Sequence, residues 1–201
     1  MVQYHDLGVA LIPTAEHQER IYRSVGDLNR LLDFVFCPAP DTSIPHLSLF
    51  QGRYRNEKDV VSIIDSMNFS DVSQTQRISG FSFWAEDIFF MDIKRSEDLY
   101  RTHNRVFNEL FPLVKISRRP QKISGITEGQ RKSLKETGYP FSLKEFYPHI
   151  TLAKVKEESK KYLESLLPLS DFAKIVFDRV IVFRVGDFGA CKDVVYEKLL
   201  K

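Results

Sequence analysis

The chain begins with a short apolar run, Leu7 to Pro13, after which apolar residues recur at Ile21, Val25, Leu28, Leu32 and Val35. That spacing predicts a strand followed by an amphipathic helix. A loop rich in Pro, Asp, Thr and Ser, Cys37 to Pro45, leads into a second strand, His46 to Tyr54, and Asn56 is placed to cap a helix carrying Val60, Ile64 and Met67. A polar connector, Ser70 to Arg77, ends this half. The second half opens on Ser79 to Lys94, whose alternation predicts a hairpin turning at Ala85 to Asp87, and Ser96 precedes a helix bearing Leu99, Val106, Leu110 and Leu113. After an irregular stretch come a strand from Phe146 to Val155, a Lys- and Glu-rich helix with Tyr162, Leu163, Leu166 and Leu167, the strand-like run Lys174 to Val185, and a last short strand within Val194 to Leu200. The layout is α+β. Its halves repeat each other as helix, loop, strand opening on Pro-His, helix, which predicts a duplicated lobe. The helix after His46 is expected near Glu57 and the one after His149 near Glu157.

Composition changes this picture little. With 43% hydrophobic and 28% charged residues in 201, the chain can bury a core and is not disordered. A formal charge of +2 is too small for a generally nucleic-acid-binding surface, so any basic footprint must be local. It is found at 117–140, which holds Arg118, Arg119, Lys122, Arg131, Lys132 and Lys135 against Glu128 and Glu136. Cys37 and Cys191 form no CxxC pair, which predicts free thiols and a reducing compartment. The N-terminal apolar run is too short for a signal segment and no run suits a membrane span, so a cytoplasmic protein with no membrane partner, working as a monomer, is expected.

Two strands open on nearly the same pentapeptide: Pro45-His46-Leu47-Ser48-Leu49 and Pro148-His149-Ile150-Thr151-Leu152. At this composition a His followed by hydrophobic, Ser/Thr, hydrophobic arises by chance roughly 2% of the time, and two hits among five His in about one sequence in 200. Accident is therefore a poor explanation. Side chains alternate along a strand, so His46 shares a face with Ser48 and His149 with Thr151, while the aliphatic partners face the other way. A pseudo-twofold would set these polar faces against each other across a cleft. In-line displacement at phosphorus needs a base on one side, an acid on the other, and donors for the non-bridging oxygens. Two imidazoles and two hydroxyls supply these groups.

The two tetrapeptides resemble the paired HxS/T signatures of the 2H phosphoesterase superfamily, above all its 2'-5' RNA ligase-like and RNA 2',3'-cyclic phosphodiesterase branch. The hairpin and amphipathic helix between the motifs, Ile78 to Leu113, are also similar to the central part of that family, so the resemblance covers most of the chain. It implies one bilobal α+β domain over 1–201, with antiparallel sheets lining a central cleft and helices outside. It further implies His46 and His149 as general acid and base, with Ser48 and Thr151 as phosphate ligands. Ser at 48 where the family has Thr keeps the hydroxyl. The segment 117–140 has no counterpart and is read as a basic insertion.

Further site residues follow from parity and charge. Phe50, Tyr54 and Tyr147 have the parity of the catalytic faces and are candidates for stacking on a base. Arg118, Arg119 and Lys122 belong either to a solvated loop or to a lid that grips phosphates. His103 falls on an apolar helical face and is expected in the core or at its boundary. His5 and His17 stand alone, and no HExxH or other cluster of His with carboxylates is present, so neither metal nor cofactor is expected. Gly125 to Ser133 has the wrong spacing for a phosphate loop, and Asp187-Phe188-Gly189 lacks every other kinase element. The expected partner is an RNA end or small nucleotide, with a 2',3'-cyclic phosphate as the leading substrate. The alternatives are a 2'-5' oligoadenylate or cyclic-dinucleotide signal, an RNA-binding module with little turnover, and reversible 2'-5' ligation.

Overall fold

The computed structural model describes residues 3–85, 87–116, 123–166 and 173–200. The apolar N-terminal run becomes β1 (His5–Pro13), and the period-3.6 pattern after it becomes α1 (Ala15–Leu32). Asp33, in a left-handed conformation, ends α1, so Val35 is not on the helix and is exposed. The first motif opens β2 (Leu47–Tyr54), followed by α2 (Glu57–Ser66), whose cap is Asn56 accepting from the Lys58 amide. The hairpin forms as β3 (Thr75–Trp84) and β4 (Ile88–Ile93), leading to α3 (Glu97–Leu110). Strand β3 begins inside what reads as a polar connector, because Thr75 to Arg77 pair with a distant strand.

The chief departure lies in the basic segment. The part described is not irregular: it holds α4 (Glu128–Thr137), closed by a Thr127/Gln130 capping box and ended by Gly138 in a left-handed conformation. The second motif opens β5 (His149–Lys154), and α5 (Glu157–Leu166), β6 (Lys174–Val185) and β7 (Cys191–Leu199) complete the chain. Leu167, expected on the fifth helix, lies outside the described residues.

All strand pairings are antiparallel, in the order β1-β2-β5-β4-β3-β6-β7, and β6 also pairs with β1. The strands thus form two groups that meet twice. On one side β2 touches β5 through a single pair, Leu47 with Ile150. On the other, β6 runs from β3, through Lys174–Val176, to β1, through Phe177–Arg184. The aliphatic motif residues Leu47, Leu49, Ile150 and Leu152 all lie in one buried core shared by both strand groups, with α3 packed against β2. No helix among the described residues is long and apolar enough to cross a membrane.

Candidate active site

Because Leu47 faces Ile150 in an antiparallel pair, one step along each strand sets His46 opposite Thr151 and Ser48 opposite His149. The two motifs are related by a local twofold through that pair. All four polar side chains line one cleft of about 890 Å³, within the range that holds a ligand the size of a nucleotide.

The two imidazoles are held in the same way. His46 Nδ1 lies 2.8 Å from the Ile44 carbonyl and His149 Nδ1 lies 2.6 Å from the Tyr147 carbonyl, each two residues back. A carbonyl oxygen can only accept, so both rings carry their proton on Nδ1 when neutral and keep Nε2 for exchange. Each ring also has an aromatic backing. His46 rests on Phe183 with centroids 4.8 Å apart, and His149 stacks on Phe90 at 3.7 Å and 19°. Phe183 can lie there because its β1 partner is Gly8, where a Cβ would collide with the Phe183 ring. On the other side Trp84 lies nearly parallel to Phe90, at 6.1 Å and 14°, and its indole N–H donates to Gln130 of α4.

Burial disfavours charge on both rings. His149 is pushed down to about 4, opposed by the Tyr147 carbonyl and helped by any charge on His46. His46 is also lowered by burial, but two carbonyls, Ile44 and Gly189, favour its charged form. The two imidazoles are therefore alike in tautomer and unlike in readiness to hold a proton.

Strand alternation misplaces part of the site. Phe50 and Tyr54 have the parity of His46, yet both are buried in the core, Phe50 edge-on to Phe107 of α3. The cause is a β-bulge: Val9 pairs with Phe50 and Ala10 with Ser48, leaving Leu49 unpaired and reversing the faces beyond it. The second motif has the same feature. Phe89 pairs with Ala153 and Phe90 with Thr151, leaving Leu152 unpaired. The residue five positions after each motif histidine, Gln51 in one strand and Lys154 in the other, thereby turns into the cleft. Gln51 donates to the Ser48 hydroxyl at 3.0 Å, and Lys154 pairs with Asp87 at 3.1 Å. The repeated Leu of the motifs marks the bulge, but nothing in a strand pattern announces one.

Tyr147, the third aromatic expected on the catalytic face, is exposed and flanks the cleft, its hydroxyl between Ser82 and Asp92. The rings that line the cleft instead are Trp84, Phe90, Tyr139, Phe141 and Phe188. Tyr139 is buried, with burial pushing its phenol up and the Ser48 hydroxyl opposing that shift. Phe188 belongs to the Asp187-Phe188-Gly189 turn between β6 and β7, which forms one wall of the cleft. Arg118, Arg119 and Lys122 lie outside the described residues. Among the described residues no group of three or more His, Cys, Asp or Glu is arranged to hold a metal ion. His5 and His17 do not line the cleft; His17 bonds Thr14.

No protein-family model matches the sequence, and no curated protein does. Solved structures do match. A phosphoesterase aligns over 99% of this chain and 99% of its own, at 13% identity and a TM-score of 0.55. Escherichia coli LigT, crystallised with 3'-AMP, aligns over 99% of each chain at 12% identity and 0.54. TT0787 of Thermus thermophilus aligns over 97% of each at 14% identity and 0.58. The chain has the fold of these proteins from end to end.

Proposed function

We propose that this chain is a phosphodiesterase of the 2H type, one bilobal domain that hydrolyses 2',3'-cyclic phosphates on nucleotides or RNA ends without a metal ion. The observation that carries the reading is the Leu47–Ile150 register, which sets two His-x-Ser/Thr faces against each other in one cleft. The neighbouring LigT structures hold 3'-AMP, ATP and phosphate, which supports a phosphate-bearing nucleotide as the occupant here.

The reaction assigned to the site is attack of water on phosphorus with loss of one ribose oxygen. One neutral imidazole takes the proton of the attacking water through Nε2. The other, charged at the outset, gives its Nε2 proton to the departing oxygen. A P–O bond forms and a P–O bond breaks, leaving a phosphomonoester beside a free ribose hydroxyl. Both rings then return to their starting states through solvent. Ser48, Thr151 and the Lys154 ammonium stabilise the non-bridging oxygens. His46, with two carbonyls favouring its charged form, is assigned as the acid, and His149 as the base.

The test is a panel of 2',3'-cyclic nucleotides, 2'-5' oligoadenylates, cyclic dinucleotides and cyclic-phosphate-ended RNA, assayed with and without chelator. Turnover of the cyclic phosphates that survives exhaustive chelation is expected. A tenfold loss restored by Zn²⁺ or Mn²⁺ rules out the metal-free mechanism, and binding without product points to a non-catalytic RNA module.

A further inference from the structure

A third histidine links the two motifs. His103, on α3, is fully buried. Its Nδ1 lies 2.5 Å from the Leu49 carbonyl, and its Nε2 lies 2.7 Å from the Leu143 amide nitrogen. The carbonyl can only accept and the amide can only donate, so the ring must be neutral with its proton on Nδ1. This is the tautomer of His46 and His149, but here both nitrogens are committed inside the protein.

The two partners occupy telling places. Leu49 is the bulged residue of β2, next to Ser48, and its bulge decides that Gln51 and not Phe50 faces the cleft. Leu143 has φ of +54°, a left-handed conformation that a leucine side chain disfavours, in the 3₁₀ turn that leads to the second motif. Three residues on, Phe146 stacks on the His103 ring at 4.1 Å and 11°. The next residue, Tyr147, supplies the carbonyl that orients His149. One ring thus anchors the chain at the end of the first motif and just before the second, partners 54 and 40 residues away in sequence. Removing it strands a buried C=O and a partly buried N–H and frees both the bulge and the turn.

We propose that His103 is a positioning residue: by donating to Leu49 and accepting from Leu143, it sets the spacing of the two motif strands and so the alignment of His46 and His149 on a phosphodiester. The proposal rests on the phosphodiesterase reading given above for its kinetic consequence, though not for its structural one. Two proton transfers on opposite sides of one phosphorus are sensitive to displacements of about 1 Å, which can cost around a hundredfold, whereas retention of the phosphate tolerates them better.

The test compares His103→Phe, which keeps the stack on Phe146 and loses both hydrogen bonds, with His103→Asn, which can keep the donor to Leu49. For His103→Phe, kcat per folded molecule is expected to fall 10- to 100-fold with KM changed less than threefold, and His103→Asn should lie between it and wild type. Unchanged kcat per folded molecule in either variant overturns the proposal, because a purely structural residue changes only the folded fraction. A measurement on the intact wild type covers the case in which His103→Phe does not fold. Its imidazole ¹⁵N spectrum should show His103 neutral and Nδ1-protonated, with and without inorganic phosphate, and an Nε2-protonated or charged ring overturns the proposal. If the wild type cleaves none of the panel, the phosphodiesterase reading fails separately. Positioning is then read from the His46 and His149 ring resonances, which His103→Asn should shift and which unshifted resonances would refute.

Discussion

An imidazole whose Nδ1 is bound to a carbonyl can pass protons only through Nε2, and His46 and His149 share that restriction. Their difference is electrostatic and can be read chemically. With an ester whose leaving group is a nitrophenolate, protonation of the departing oxygen is unnecessary. On such an ester His46→Ala should lose less than tenfold, while on nucleotide substrates it loses about 10² to 10⁴ in kcat; His149→Ala should lose heavily on both. Equal losses for the two variants on both substrates would abolish the assignment, and sparing of His149→Ala alone on the nitrophenyl ester would reverse it. If His46 and His149 act as the proposed acid and base, the double variant should cost less than the product of the singles. Burial lowers both rings below the ordinary 6.5, so the bell-shaped profile of kcat/KM, which reports the free enzyme, should peak below that value. An anionic phosphate between the rings favours their charged forms, so the kcat profile should peak at higher pH. A kcat/KM maximum above pH 7.5 is incompatible with rings buried in this way.

Secondary elements were legible where periodicity decides them. The apolar faces of α1, α2 and α3 and the alternation of the β3–β4 hairpin are explicit in the residue order. Helix α4 was not, because Leu134 is its only large apolar residue and Gly129 interrupts it; its one signal is the Thr127-x-x-Gln130 box. Site residues divide in the same way. His46, Ser48, His149 and Thr151 precede the bulges, so alternation places them in the cleft. Phe50, Tyr54, Gln51 and Lys154 follow the bulges, so alternation misplaces them. Two glycines give a paired test of packing around the motif strand. Gly8→Ala puts a methyl into the Phe183 ring behind His46 and should cost about 1–3 kcal/mol in denaturant unfolding, together with a loss of kcat. Gly26→Ala, in the middle of α1 with nothing within 4 Å of the new methyl, should stabilise by about 0.5–1 kcal/mol and leave kcat alone. Loss of stability in both, or in neither, contradicts the packing described.

At the scale of the whole molecule, three buried histidines, His46, His103 and His149, are all depressed, the last two to about 4. An unfolded chain takes up these protons near pH 6.5, whereas folded His103 and His149 resist until about pH 4 and His46 is lowered as well. Stability should therefore be fully present above pH 6.5 and fall as the solution is acidified toward pH 4, by up to about 1.4 kcal/mol per pH unit for each ring. Urea midpoints at intervals from pH 7.5 to 4.5 measure this, and a midpoint unchanged across that span excludes it. The paired bulges bear on the molecule in another way. A site made by a perfect twofold is blind to direction: a substrate and the same substrate turned end for end would meet identical groups, and half of all encounters would present the wrong oxygen to the acid. Gln51 and Lys154, brought into the cleft by equivalent bulges, are one place where this pocket departs from its own symmetry, with an amide at one end and an ammonium at the other. Together with the unlike electrostatics of the two imidazoles, that inequality gives the cleft a head and a tail. On the function proposed above, exchanging the two residues should loosen the substrate's preferred direction of entry, while the carbonyls beside His46 keep it the ring that holds the proton.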